Sequence, residues 1–197
     1  GKLTLADRWN GKRFNSPNDL AIRTNGDIFF TDPIYGLPQR ADDPLREIDF
    51  CGIYRLQPDG TVTLQSKAMS RPNGIAFSPD ELTLYVANSD DQDPVWRAFP
   101  LREDGNLAPP IPFFDSSKDD RIPRGGGDGM KVDVRGNVFA TGPGGVLVLS
   151  PQGQLLGRLA TGESIANVGW GNDGNVLYLT SDMYLCRIRT KTKGVGF

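Results

Sequence analysis

The chain has 197 residues, a formal net charge of −2 and no histidine. That length suffices for one domain with a real core, and the charge balance offers no basic excess to draw nucleic acid or an acidic membrane surface. Without histidine, Ser-His-Asp and Cys-His catalysis in their usual forms and the common zinc sites are excluded. Any metal must then be held by oxygen, which favours calcium, then magnesium or manganese.

No apolar run approaches the roughly 18 residues of a membrane span. Reading from the start, Leu3–Ala6 is strand-like. Pro17-Asn18-Asp19-Leu20-Ala21-Ile22 leads through a turn into Ile28-Phe29-Phe30. Two more strands, Ile53–Leu56 and Thr61–Leu64, are joined by Pro58-Asp59-Gly60, a hairpin signal in which glycine supplies the positive φ. Between them Pro33–Phe50, rich in charge and proline, reads as a long loop.

A second unit starts at Pro72-Asn73-Gly74-Ile75-Ala76-Phe77 and continues through Leu84–Val86 and Val95–Phe99 to a turn at Asp104-Gly105. Its run Asn88-Ser89-Asp90-Asp91-Gln92-Asp93 looks like a calcium loop, but position twelve counted from Asp90 is Leu101 and not glutamate, so a solvated acidic loop is expected. Pro109–Gly127 reads as a second long loop. Gly127-Asp128-Gly129-Met130-Lys131-Val132 opens a third unit, with strands at Val138–Ala140, Val146–Leu149 and Leu155–Leu159. Ala166-Asn167-Val168-Gly169-Trp170 opens a fourth, followed by Val176–Leu179 and Leu185–Ile188. Trp9, Trp96 and Trp170 read as packing residues, and Cys51 and Cys186 as free thiols with a pairing left open.

Four copies of one phrase thus place Asn18, Asn73, Asp128 and Asn167 alike, 55, 55 and 39 residues apart. A period of roughly 40–50 residues built from short strands marks propeller blades. In a radial fold, equivalent positions converge on the axis, so four oxygen-bearing side chains are expected at one mouth of a central channel. The competing reading is that an Asn or Asp before a strand caps its own turn.

Arg13-Phe14-Asn15-Ser16-Pro17-Asn18-Asp19-Leu20, Phe30-Thr31-Asp32-Pro33, Arg71-Pro72-Asn73-Gly74-Ile75-Ala76-Phe77-Ser78-Pro79-Asp80, Gly127–Asp133 and Ala140–Val146 together resemble the gluconolactonase branch of the senescence marker protein/gluconolactonase/luciferin-regenerating enzyme-like family. The resemblance implies an all-β, six-bladed β-propeller, of which about four blades are present here. One domain would cover residues 1–197 with its first blades missing, about 90–110 residues at roughly 40–50 per blade. It also implies one divalent cation in the axial channel, often calcium. Asn73 and Asp128 would be metal ligands, Asp128 also the general base, and Asn18 would contact water or substrate. The remaining ligand, a glutamate of the first blade, is expected outside these residues.

Tyr35 is a candidate for lining the substrate pocket, with packing as the equal alternative. Arg13 is a candidate for a substrate carboxylate, and Asn167 for a fourth polar contact. Gly127 and Gly129 flank Asp128 and are expected to let the backbone approach a metal closely. The expected activity is metal-dependent opening of a sugar lactone by activated water, with a small-molecule lactone as partner and neither nucleic acid nor membrane. The alternatives are a propeller that only binds a ligand or protein, and a lactonase or esterase for a non-sugar substrate.

Overall fold

The computed structural model describes residues 1–197 and is all-β apart from two short 3-10 turns. Strands β1 (Arg8–Trp9) and β2 (Lys12–Arg13) form a small hairpin. Four antiparallel sheets follow in strict chain order. Blade one is β3 (Leu20–Ile22), β4 (Ile28–Asp32), β5 (Gly52–Leu56) and β6 (Val62–Ser66). Blade two is β7 (Pro72–Phe77), β8 (Thr83–Asn88), β9 (Val95–Pro100) and β10 (Ile111–Asp115). Blade three is β11 (Met130–Val132), β12 (Val138–Gly142), β13 (Gly145–Leu149) and β14 (Leu155–Leu159). Blade four has three strands, β15 (Ile165–Gly171), β16 (Val176–Ser181) and β17 (Tyr184–Arg189). This is the propeller arrangement expected from the repeat, with four blades.

The core lies between blades, because alternate residues of each strand face opposite neighbours. Phe29, Ile53, Ile75, Leu84, Val86 and Phe99 fill the layer between blades one and two. Tyr85, Trp96, Met130, Val138 and Leu147 fill the next, and Phe139, Val146, Ile165, Val168 and Leu177 the third. The other face of blade one, where Phe30 and Tyr54 stack at 5.4 Å, is covered by Trp9 and Phe14 in edge-to-face contacts with ring centroids 5.1–5.8 Å apart, with Phe50 packed alongside. All three tryptophans therefore pack as expected. Leu20 and Ile22 on the first blade and Tyr184, Leu185 and Ile188 on the last remain exposed.

Three local expectations are corrected. Leu3–Ala6 forms no strand, and Leu3 and Leu5 are exposed. The segment Pro109–Gly127 is not one loop, since β10 lies within it as the outer strand of blade two. Proline is tolerated on such an edge, because its missing N–H need not face a partner. The acidic run is not simply solvated either: Asn88 is fully buried and its Oδ1 accepts the Arg71 N–H at 2.8 Å. Both cysteines are free, Cys51 buried and Cys186 half-buried. No helix is long and apolar enough to cross a membrane.

Candidate functional site

The entries to the inner strands of blades one and three are fastened in the same way. The Asn18 N–H donates to the Thr31 carbonyl at 2.9 Å, and the Asp128 N–H to the Thr141 carbonyl at 3.0 Å. The two threonine hydroxyls then reach the following blade: Thr31 Oγ1 donates to the Asn73 carbonyl at 2.8 Å, and Thr141 Oγ1 to the Ala166 carbonyl at 2.9 Å. Strand pairing agrees, with Leu20, Ile75, Met130 and Val168 opposite Phe30, Val86, Ala140 and Leu179. Counting back two residues gives Asn18, Asn73, Asp128 and Ala166.

Asn167 is therefore one position out of register with the other three, a correction to the four-fold phrase. A bulge does not set it apart, since β7 carries an irregularity between Pro72 and Ile75 comparable to that of β15 between Ile165 and Asn167. Asn167 stands one residue before Val168, whereas Asn73 stands two before Ile75. The Asn167 side chain accepts its own neighbour's N–H from Val168 at 2.8 Å, as Asp19 does from Leu20 at 2.8 Å. Asn167 thus matches Asp19, and no polar side chain occupies the fourth equivalent position.

Asn73 and Asp128 do come together. The Asn73 amide lies near enough to the Asp128 carboxylate to favour its charged form. Its Nδ2 also lies 3.4 Å from Ser89 Oγ, while its Oδ1 is buried with no partner in the chain. Asp128 is half-buried, and that burial raises its pKa above the ordinary carboxylate value. The Asp19 charge raises it further, while the Gly129 N–H and Asn73 pull it partly back. Asp19, overlooked in the sequence reading, is a second acid of the site. Its Oδ2 accepts the Ile75 N–H at 3.3 Å and so ties blade one to the strand bearing Asn73.

The glycines beside these residues are required by the close approach of the neighbouring blades. A Cβ on Gly127 would sit 2.4 Å from Trp96 Cζ2, and one on Gly129 would sit 2.2 Å from Asn167 Oδ1. A Cβ on Gly74 would sit 2.0 Å from the Asp128 carbonyl oxygen. Each glycine makes room for the neighbouring blade, which is what lets Asn73 and Asp128 meet.

The other candidates are placed as follows. Asn18 is exposed, and its side chain makes no hydrogen bond within the chain. The Tyr35 hydroxyl is 2.5 Å from Ser89 Oγ, and Arg40 lies over the Tyr35 ring at 5.3 Å. Arg13 is not brought to these residues by any contact: its guanidinium and N–H bind Glu47 at 2.5 and 2.7 Å, and it also reaches the Leu45 carbonyl. A cleft of about 760 Å³ opens beside Asp128 between blades three and four, lined by Glu163, Ser164, Thr180 and Asp182 among others. Of the long segments Pro33–Phe50 and Pro109–Gly127, only Gly126 lines it.

No three His, Cys, Asp or Glu side chains converge on one point. The donors present are an unmatched amide oxygen on Asn73 and the Asp128 carboxylate, with Asp19 adding negative charge. A buried oxygen without a hydrogen-bond donor is costly, and an oxygen-seeking cation is the partner that amide and carboxylate oxygens accept in common. These residues fit a hard divalent ion.

An all-β propeller with amide and carboxylate side chains gathered at the entries of its inner strands defines the class. The sequence pattern of the SMP-30/Gluconolactonase/LRE-like region matches residues 2–183, so the chain belongs to that family. It is 39% identical over 197 residues to the gluconolactonase of Zymomonas mobilis subsp. mobilis, covering 98% of this chain and 55% of that protein. An X-ray structure assigned by family to the gluconolactonases superposes with a TM-score of 0.86 at 31% identity, over 98% of this chain and 65% of that one. A gluconolactonase from Xanthomonas campestris gives a TM-score of 0.81 at 35% identity, over 93% and 60%. The chain thus spans roughly half to two-thirds of the length of these relatives.

Proposed function

We propose that this chain carries the base and two of the cation-binding oxygens of a lactone hydrolase, and that its substrate is a sugar lactone. The observation that carries the reading is the buried, partnerless Asn73 Oδ1 beside the Asp128 carboxylate. The gluconolactonase relatives supply the reaction class. The cleft supports a polyhydroxylated substrate over an acyl or aromatic one. Glu163 and Asp182 offer hydrogen-bond acceptors and Ser164 and Thr180 offer hydroxyls, where a greasy substrate would call for apolar walls.

Asn73 Oδ1 and an Asp128 oxygen would hold the divalent ion, calcium first, with magnesium or manganese as alternatives. When bound, such an ion supplies Lewis acidity at an ester carbonyl and eases proton loss from water. Asp128 then acts as general base: it takes a proton from water as the water oxygen bonds to the lactone carbonyl carbon. The same carboxyl group returns the proton to the ring oxygen as the acyl–oxygen bond breaks, leaving a hydroxy acid. Asn18, exposed at the equivalent entry of blade one, would accept or donate one hydrogen bond to the incoming water or substrate. Tyr35, Arg13 and Asn167, each engaged within the protein, contribute through structure and not through substrate contact.

The test is hydrolysis of gluconolactone by the full-length protein, corrected for the spontaneous reaction, with Asp128→Asn as comparison. That change keeps the shape and removes the base. Loss of about 10²-fold or more in kcat is expected, within the range of general-base removal. Unchanged turnover in Asp128→Asn would refute the assignment.

A further inference from the structure

Asn73 can ligate a cation only if its amide presents oxygen, not nitrogen. An amide has two nearly isosteric ends, so something must decide which one faces the ligand. Around Asn73 the structure supplies a single hydroxyl able to decide it. Ser89 Oγ lies 3.4 Å from Asn73 Nδ2, 2.5 Å from the Tyr35 hydroxyl and 3.3 Å from the Arg71 carbonyl. A serine hydroxyl has one proton. That proton goes either to the Arg71 carbonyl or to the Tyr35 oxygen, whose own proton can go to the Ser89 carbonyl at 3.3 Å; in both arrangements the Ser89 oxygen is left as the acceptor for the Asn73 N–H. Flipping the amide would set Asn73 Oδ1 against an oxygen with no proton to give.

We infer that Tyr35 and Ser89 form a positioning relay that fixes the orientation of the Asn73 amide, and so prepares the site for a hard cation before one arrives. The inference deepens the reading above and rests on it. The nearby Asp128 carboxylate also favours an N–H₂ toward it, but that carboxylate would itself turn to a bound cation. Ser89 is the anchor that persists. The relay is held from outside: Arg40 stacks on the Tyr35 ring and donates to the Tyr35 carbonyl. Through this contact the long Pro33–Phe50 segment bears on the site without lining it. Ser89 and Tyr35 are positioning residues, not catalytic ones.

The test is calorimetric titration of calcium and manganese into the metal-free full-length protein, in wild type, Ser89→Ala, Tyr35→Phe and Ser89→Thr. Partners of a metal ligand typically contribute 10- to 100-fold in affinity. Ser89→Ala is therefore expected to bind about 10- to 100-fold more weakly, and Tyr35→Phe up to about tenfold more weakly. Ser89→Thr, which keeps the hydroxyl, is expected to stay near wild type. The decisive comparison uses Asn73→Asp, whose two ends are both oxygen and need no orienting. In that background Ser89→Ala is expected to have little further effect. An equal penalty in both backgrounds would mean that Ser89 acts through packing, and would overturn the relay. So would equal affinity of wild type, Ser89→Ala and Tyr35→Phe. If wild type binds neither ion, the cation reading itself fails and the relay falls with it. Melting temperatures of each variant separate loss of binding from loss of fold.

Discussion

A single methyl group at Gly127 should disable the site from behind. The Cβ of Gly127→Ala would lie 2.4 Å from Trp96 Cζ2, 2.6 Å from Cε2 and 3.0 Å from the Ala87 Cβ. The indole cannot retreat easily. It is fully buried, and Gly142 packs so close to it that a Cβ there would lie 3.1 Å from its ring. Overpacking of this kind costs about 1–3 kcal/mol, or roughly 2–12 °C in melting temperature for a domain of this size. The strain is relieved in part by moving the backbone, and the next residue is Asp128. A displacement of about 1 Å at a catalytic group costs on the order of 10²-fold in rate. Gly127→Ala should therefore lower both melting temperature and kcat of lactone hydrolysis. Trp96→Phe removes the ring edge that clashes, so in the double variant activity should recover further than stability does. Scanning calorimetry and steady-state kinetics on the four proteins measure this. A Gly127→Ala protein with wild-type melting and turnover, or a double variant no better than Gly127→Ala alone, would refute the reasoning.

Three other outcomes follow from the same geometry. Asp32 is fully buried, and that burial pushes its pKa up from 3.8 to about 6, even though the N–H groups of Asn15 and Ser16 and the charge of Arg46 pull it down. The native state therefore holds this proton more tightly than the unfolded chain. The contribution to stability is fully present below pH about 4 and is lost as pH rises through about 6, to the extent of about 3 kcal/mol. Urea melts between pH 4 and 7 should show wild type losing that much relative to Asp32→Asn, and parallel curves would contradict it. Thr31→Val removes the hydroxyl that reaches the Asn73 carbonyl in a fully buried position. It should destabilise by about 1–3 kcal/mol, and an unchanged denaturation midpoint would count against the inter-blade latch. Arg13→Ala breaks a partly exposed pair with Glu47, so stability should fall by no more than about 1 kcal/mol with KM unchanged. A large rise in KM would return Arg13 to the substrate.

What could be read from the sequence was whatever repeats by hydrophobic pattern and turn chemistry. The inner strands at Ile75 and Met130 and the second strands at Phe29, Leu84, Val138 and Leu177 are apolar because both faces are buried between blades. Short apolar runs flanked by turn residues, such as Asn25-Gly26 before Phe29 and Asp173-Gly174 before Leu177, therefore marked them. Asn73 and Asp128 were legible because strand and turn spacing fixes their place. Asn167 was misplaced because it lies one residue nearer its paired apolar position, Val168, than Asn73 does to Ile75, and the shared residue type hid that offset. β10 was hidden because an outer strand with Ile111 exposed has no two-sided burial to imprint a pattern. Asp19 was in plain view beside Asn18, but its role depends on the Ile75 N–H of the next blade. Ser89 sits in an acidic run whose composition pointed to solvent. Its contacts to Tyr35 and Asn73 span 54 and 16 residues of sequence. Gly127 and Gly129 were noticed, but their purpose depends on Trp96 and Asn167, which are remote or on the next blade.

The central claim, that Asn73 and Asp128 bind the cation on which lactone opening depends, is tested most directly by titrating calcium into chelator-treated full-length protein. Occupancy and gluconolactone turnover are followed in the same samples, for wild type and Asn73→Ala. The account expects no enzymatic turnover above the spontaneous rate without the ion, and recovery that tracks occupancy. In Asn73→Ala both curves should shift together to higher calcium. Full turnover in the metal-free protein, or an Asn73→Ala protein that binds and turns over as wild type does, would contradict it.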